Sequence, residues 1–500
     1  MMEAFAPTTT AAAFYACALV SYDDVKKMLS RAGRTSTAGL LLAATAWQCE
    51  GDVLRAESTL RRALETSEAD RPYVVDILAP LLISRGLFNR AAALIVAQRK
   101  PPLPLEIGWL ALRSIIDAAS GAVRRSEEAA SVVREALSHI DDDILRLRVH
   151  QRLAMAAYYR GDAVAALEEV AHGLRTSQLL DASRAACTLH SVAYATQYSL
   201  LGDFEAAWRH VLALGREAER GGDESCRAFA RVAEYELAAE RGDSECAIQA
   251  RIAIDSKPLP EQYRERFAVG IADALRLSWS GDLSTCRNVL TVLKDTSGRS
   301  DGERALCRAL LALLGVAMAD EDAARRFSRQ AISTSARPTK HIVAYELRYR
   351  RLARALAAIA GEFVGDIVRG RRAADARFVR EDADVAALLD LRSGADVCDV
   401  PVSVRGYARF AAVARERLSL RTPAGPLTTM EVEVVRLVAA GRKAPQIAIL
   451  LNRSPHTVRT HLRNASAKLE AHGRIDLLER ARQLGILKEP HIKGLNGAST

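Results

Sequence analysis

The stretch "RSPHTVRTHLRNASAKLE" at residues 453–470 sets polar and basic side chains at helical spacing. At about 100° per residue, His456, Arg459, Thr460, Arg463 and Ala467 fall on one face of a helix. Val458, His461, Leu462, Ala465 and Leu469 fall on the opposite one. The second face has the pattern of a packing surface, and the first is basic with no acid until Glu470. Guanidinium groups such as Arg459 and Arg463 can reach guanine edges or phosphates, and a threonine such as Thr460 can meet a thymine methyl. Lys468 and Arg474 follow at positions suited to backbone phosphates. Taken alone, such a face fits an ordinary salt-bridged helix equally well. The elements around it must decide.

Those elements start after "LRTPAGP" (420–426), a short Pro/Gly linker. "LTTMEVEVVRLVAAG" offers Thr428 or Thr429 as an N-cap, acids Glu431 and Glu433 in the first turn, and Gly441 as a stop. "APQIAILL" is a second, short helix with Pro445 in its first turn, and "NRS" is the turn that follows. Ser454 then caps the quoted helix with Pro455 at its first position. Two helices, a tight turn and a longer third helix make a helix-turn-helix. The charge agrees with that reading. The chain has a net charge of +9, and residues 421–500 hold 13 Lys and Arg against 6 Asp and Glu. The remaining 420 residues hold 57 against 55, a nearly neutral body. A small basic module facing a polyanion is the expected arrangement.

The body repeats itself. "EGDVLRAE" at Gly51 recurs as "RGDAVAAL" at Gly161, "LGDFEAAW" at Gly202, "RGDSECAI" at Gly242 and "SGDLSTCR" at Gly281. Weaker copies stand at Gly86, Gly121 and Gly361, and "MADEDAAR" has Ala319 in the glycine's place. The spacing is 35 residues at first and settles near 40, the period of a helical solenoid. Each glycine suits the left-handed position that ends one helix, and the following Asp suits the cap of the next. Five residues after the glycine stands a small residue: Ala56, Ala91, Ala166, Ala207, Ala247 or Cys286. There it lets two helices approach closely. The 5% aromatic residues do not cluster, so most Tyr and Phe are expected in the core. The basic stretches at 346–354 and 369–377 are expected to be solvated helix faces rather than contacts.

Several chemistries find no residues to carry them. The eight cysteines are scattered without Cys-x-x-Cys spacing or a His cluster, so neither a disulfide framework nor a zinc site is expected. No P-loop, His-Glu-x-x-His, Gly-x-Ser-x-Gly or dinucleotide-binding glycine motif occurs, and no enzyme or cofactor is predicted. The early apolar run "TAAAFYACALVS" is too short to span a membrane and lacks the basic lead of a signal sequence, so it reads as a packing helix. The strand-helix alternation of a receiver domain is missing.

The repeats resemble the tetratricopeptide family, in the long-period form of large MalT-type regulators, over roughly residues 35–375. The C-terminal segment is similar to the LuxR/GerE-type DNA-binding domain. That likeness rests on Leu427-Thr428, Glu431, Glu433-Val434, Gly441, Ile447-Ala448, Leu451, Ser454, Thr457-Val458, His461, Lys468-Leu469 and Arg474. The resemblance implies an all-α chain, a tetratricopeptide-like α-solenoid followed by a four-helix helix-turn-helix domain. Its expected parts are a helical cap (1–34), the repeat array (35–419), the linker, the DNA-binding domain (427–487) and a flexible tail (488–500). The contact set it implies on double-stranded DNA is Arg459, Thr460, Arg463, His456, Lys468, Arg474, Thr457 and Arg453. It also implies a homodimer through Leu477, Leu478, Ala481 and Leu484, inverted-repeat sites, and a cytoplasmic, nucleoid-associated regulator whose array takes a protein, peptide or small-molecule effector.

Four positions depart from the family pattern: Met430 replaces an Arg, Lys443-Ala444-Pro445-Gln446 loses the capping residue of the second helix, Arg453 replaces an apolar residue, and Ile475 replaces a Thr or Ser. Arg453 is expected to snorkel outward, because a buried unpaired charge is costly. These departures motivate an alternative, in which the chain is an interaction scaffold and the altered helix-turn-helix serves docking or dimerisation.

Overall fold

The computed structural model describes residues 9–33, 35–98, 101, 103–257, 259, 267–296, 300–337, 344–364, 383–391, 396–419, 427–451, 453–484 and 486–487. The linker at 420–426, the basic stretch at 369–377 and the tail at 488–500 lie outside them. The described residues are helical throughout, with no strand. They divide into two compact units, residues 1–315 with 321–412, and 413–500 with 316–320. The division falls within the helix Arg405–Ser419.

In the larger unit, the repeat signature works as its chemistry predicts. Gly51, Gly86, Gly121, Gly161, Gly202, Gly242 and Gly281 all have φ between 67° and 85°, and Ala319 takes φ 59° in the glycine's place. Asp52, Asp162, Asp203, Asp243 and Asp282 each accept the backbone N–H three residues on, at 2.9–3.1 Å. The weaker copies lack that bond, because Leu87 and Ala122 stand where the Asp would be. All six small residues five places on are fully buried. The copy at Gly361 behaves differently: the helix Ala344–Phe363 runs straight through it.

The pairing is that of stacked helical hairpins. Thr37–Glu50 packs on Val53–Thr66, Asp143–Arg160 on Ala163–Leu179, and Glu224–Glu240 on Ser244–Ser256. First helices also pack on the first helix of the next pair, as Arg71–Ser84 does on Leu103–Ala119 and that helix on Asp143–Arg160. Each hairpin thus buries its apolar face against its neighbours.

Some segments reach beyond nearest neighbours. The helix Thr10–Leu19 touches Thr37–Glu50, Arg71–Ser84 and Ser183–Thr196, so it lies across first helices of well-separated pairs. Phe14 is fully buried there, under the Arg148 guanidinium at 3.8 Å. Near the other end, Tyr407 donates to Glu240 at 2.5 Å, and Arg348 bridges Glu240 at 2.6 Å and the Ser403 carbonyl at 2.9 Å. Gly406 lies so close to the Ala239 carbonyl that no side chain would fit. The stretch 346–354 is therefore not a solvated basic face. Arg348 is enclosed by this contact, and Arg350 is buried on Glu346 at 2.8 Å. Two residues apart, they lie on opposite sides of a helix that is packed on both, and on each side a paired charge stands among apolar residues.

Candidate nucleic-acid interface

Among the described residues from 427 onward, the second unit contains four helices, Thr429–Ala439, Ala444–Leu450, Pro455–Lys468 and Arg474–Gln483. The first is fixed by a reciprocal cap. The Glu431 N–H donates to Thr428 Oγ1 at 3.3 Å, and the Thr428 N–H donates to Glu431 Oε2 at 2.7 Å. Gly441 ends this helix with φ 83°. The second helix forms despite its altered start. Gln446 Oε1 accepts the Lys443 N–H at 3.0 Å, which supplies half of the missing cap, and Pro445 sits in the first turn where no N–H is needed. The third helix is capped by Ser454, whose Oγ accepts the Thr457 N–H at 3.1 Å.

The third helix divides by face as its sequence predicts. Val458, Ala465 and Leu469 are buried, and Leu462 packs beside them. His456, Arg459 and Arg463 are exposed, and no hydrogen bond or ion pair among the described residues engages their side chains. The Thr460 hydroxyl donates to the His456 carbonyl at 3.1 Å, which occupies its polar end. Thr457 is half-buried at the helix start. Arg453 is exposed, as expected; only its backbone N–H turns inward, donating to the Ala448 carbonyl at 2.9 Å.

The other two predicted basic contacts have partners inside the domain. Lys468 Nζ lies 2.7 Å from Glu431 Oε2, and Arg474 donates to the Val438 carbonyl at 2.9 Å. Glu431 is only 3% exposed. Burial by itself would raise its carboxyl pKa, but the bonds from Lys468 and Thr428 outweigh that and hold it below the ordinary range. Lys468 and Arg474 thus tie the third and fourth helices to the first. Exposed cations not anticipated from sequence are Arg442 and Lys443, between the first two helices. Their position beside a short helix preceding a tight turn was the available signal.

The apolar stripe of the last helix packs mostly inward. Leu477 and Ala481 are buried in the domain's own core with Leu427, Val432, Val435, Ala465 and Leu469, and Leu478 packs against the same cluster. A core built by three short helices needs a fourth wall, and this stripe supplies it. Of the four residues named for dimerisation, Leu484 alone stands exposed, at 48%. Ile475, 82% exposed, is an apolar surface residue the prediction did not include.

The described residues contain no group of three or more His, Cys, Asp or Glu able to hold a metal ion, and none of their helices is long and apolar enough to cross a membrane. Comparison with known proteins bears on this domain. The chain is 36% identical over 84 residues to the uncharacterized response regulatory protein YgeK of Escherichia coli (strain K12), a match over 16% of this chain and 57% of the relative. The chain therefore spans little more than half of that protein's length. No solved structure matches. The family described as bacterial regulatory proteins, luxR family, matches residues 425–481, and that segment of the chain is a LuxR-family helix-turn-helix domain.

Proposed function

We propose that this protein is a sequence-specific transcription regulator. The helix Pro455–Lys468 enters the major groove of operator DNA, with Arg459, Thr460, Arg463 and His456 facing base edges. The observation that carries this reading is the exposed basic face of that helix, whose guanidiniums have no partner among the described residues. Thr460 supports it further: with its hydroxyl bonded to its own helix, its methyl is the group left to meet a thymine. Arg442, Lys443 and Arg453, exposed at the ends of the second helix, are suited to backbone phosphates. Lys468 and Arg474 reach a phosphate only by sharing or leaving the partners they hold. The chain acts as a dimer on an inverted-repeat site, with Leu484 and Ile475 as its exposed apolar candidates, and the helical array takes the effector.

The test is binding of the full chain to a genomic DNA library, followed by anisotropy on the selected site. Arg459→Ala with Arg463→Ala removes two contacts worth about 1–3 kcal/mol each, so affinity falls at least about 30-fold. The circular dichroism of the variant stays unchanged. Binding must also weaken steeply with salt. Unchanged affinity in the double variant sinks the assignment of the reading face. The scaffold alternative loses its motive here, because Arg453 is exposed and the second helix is formed and half-capped.

A further inference from the structure

A cavity of about 320 Å³ lies in the larger unit, between the helix Thr10–Leu19 and first helices of the early pairs. Its walls are mainly apolar, from Ile77, Leu81, Ile115 and Met155, yet three guanidiniums line it, those of Arg148, Arg152 and Arg184. The carboxylates paired with them are two. Asp76, 1% exposed, takes Arg148 at 3.0 Å and Arg152 at 2.6 Å. Asp223 lies 3.8 Å from Arg184 Nε, beyond hydrogen-bond reach. Among the described residues one positive charge is thus left unbalanced in a half-open apolar cavity, and the buried Arg148 Nε has no hydrogen-bond partner. Apolar packing alone has no use for a surplus guanidinium, since an uncompensated buried charge is destabilising. Its presence points to an anion brought from outside.

We propose that this cavity binds a small organic monocarboxylate. A carboxylate matches the planar donor fork of a guanidinium and supplies the one missing negative charge. The apolar walls take an aliphatic or aromatic body, and the volume lies at the lower end of the range for small-molecule sites. A phosphate dianion fits less well, because its second charge would have no counterpart and its small body would leave the apolar walls wet. Arg184 also donates to Gln48 and, at 3.5 Å, to the Cys17 carbonyl, so a ligand here touches side chains that hold the N-terminal helix. The proposal rests on the effector role given to the array and names the class of effector.

The experiment uses the full chain without DNA. Melting is followed by tryptophan fluorescence with straight-chain monocarboxylates from butyrate to decanoate, with phenylacetate, with inorganic phosphate, and with the matching neutral amides. At least one carboxylate raises the melting temperature and binds in titration calorimetry; its amide does not. Arg184→Gln weakens that binding at least tenfold, and Ala18→Phe, which fills the cavity without touching a charge, does the same. Two variants on different helices guard against a fold defect in either. The proposal is overturned if no carboxylate shifts the melt, if amides or phosphate shift it as much, or if both variants bind as well as the parent. Because DNA is absent, failure of the reading face does not affect this result. A carboxylate that binds but leaves operator affinity unchanged keeps the site and removes its effector role.

Discussion

Asp76 offers the sharpest test of how the array is held. Its side chain is buried on the helix Arg71–Ser84 and accepts from two arginines of Asp143–Arg160, more than seventy residues away in sequence. Arg152 alone makes three bonds to this residue: to Oδ1 at 2.8 Å, to Oδ2 at 2.6 Å and to the backbone carbonyl at 3.1 Å. Asp76→Ala removes the carboxylate that pairs with both guanidiniums. Breaking a buried pair from one side costs about 3–5 kcal/mol, because the partner stays buried and uncompensated. Two stranded cations put the expectation at the upper end of that range. All four tryptophans, Trp47, Trp109, Trp208 and Trp279, belong to the larger unit, so urea denaturation read by their fluorescence reports that unit. The companion variant Asp76→Leu, Arg148→Met, Arg152→Met removes the whole charge cluster and is expected to recover most of the loss. A loss below about 1 kcal/mol in Asp76→Ala, the scale of an exposed ion pair, would refute the claim that this cluster pins distant pairs together.

Three further outcomes follow from the same contacts. The Glu431 carboxyl, held below its ordinary pKa, stabilises the small domain fully above about pH 4.5; that stability is lost as pH falls through its folded value, and Glu431→Gln flattens this dependence in an acid melt followed by circular dichroism. Ala207→Leu forces bulk between the helices Phe204–Arg220 and Ser183–Thr196 and lowers stability by about 1–3 kcal/mol, read by the same tryptophan denaturation; a neutral result would show that close helix approach is not the reason for the small residue. Burial, then the charges of His210 and Arg216, hold His190 down to about 4, so the larger unit loses stability as pH falls from about 6.5 towards 4, and His190→Gln reduces that loss.

What the sequence made legible was local. A glycine that must take positive φ, an Asp three residues before the N–H it caps, and a small residue at a crossing are all decided within one hairpin, so repetition exposes them. The helix Pro455–Lys468 was legible for the same reason, since Ser454, Pro455 and the two faces are set within a few turns. What was hidden depends on partners far away in the chain. Lys468 looks like a phosphate contact until Glu431, 37 residues earlier, is seen beside it. Arg348 looks solvated until Glu240, 108 residues earlier, closes on it. The stripe of Leu477 and Ala481 is apolar on either reading; only the size of the remaining core decides that it faces inward. Gly361 has the signature but stays within a helix, because a glycine permits a stop without imposing one.

The placement of the helix Thr10–Leu19 has a consequence for the chain during its synthesis. This helix leaves the ribosome well before Arg148 and Arg184, which hold its Phe14 and Cys17 carbonyls. At about 5–20 residues per second, the wait for Arg184 is roughly 10–35 s. For part of that interval the Phe14 ring has Tyr73 and the helix Thr37–Glu50 beside it but not the Arg148 guanidinium that covers it. A nascent chain of this design passes through a window in which this helix is only partly covered and open to chaperones, and the window closes when the distant pair arrives.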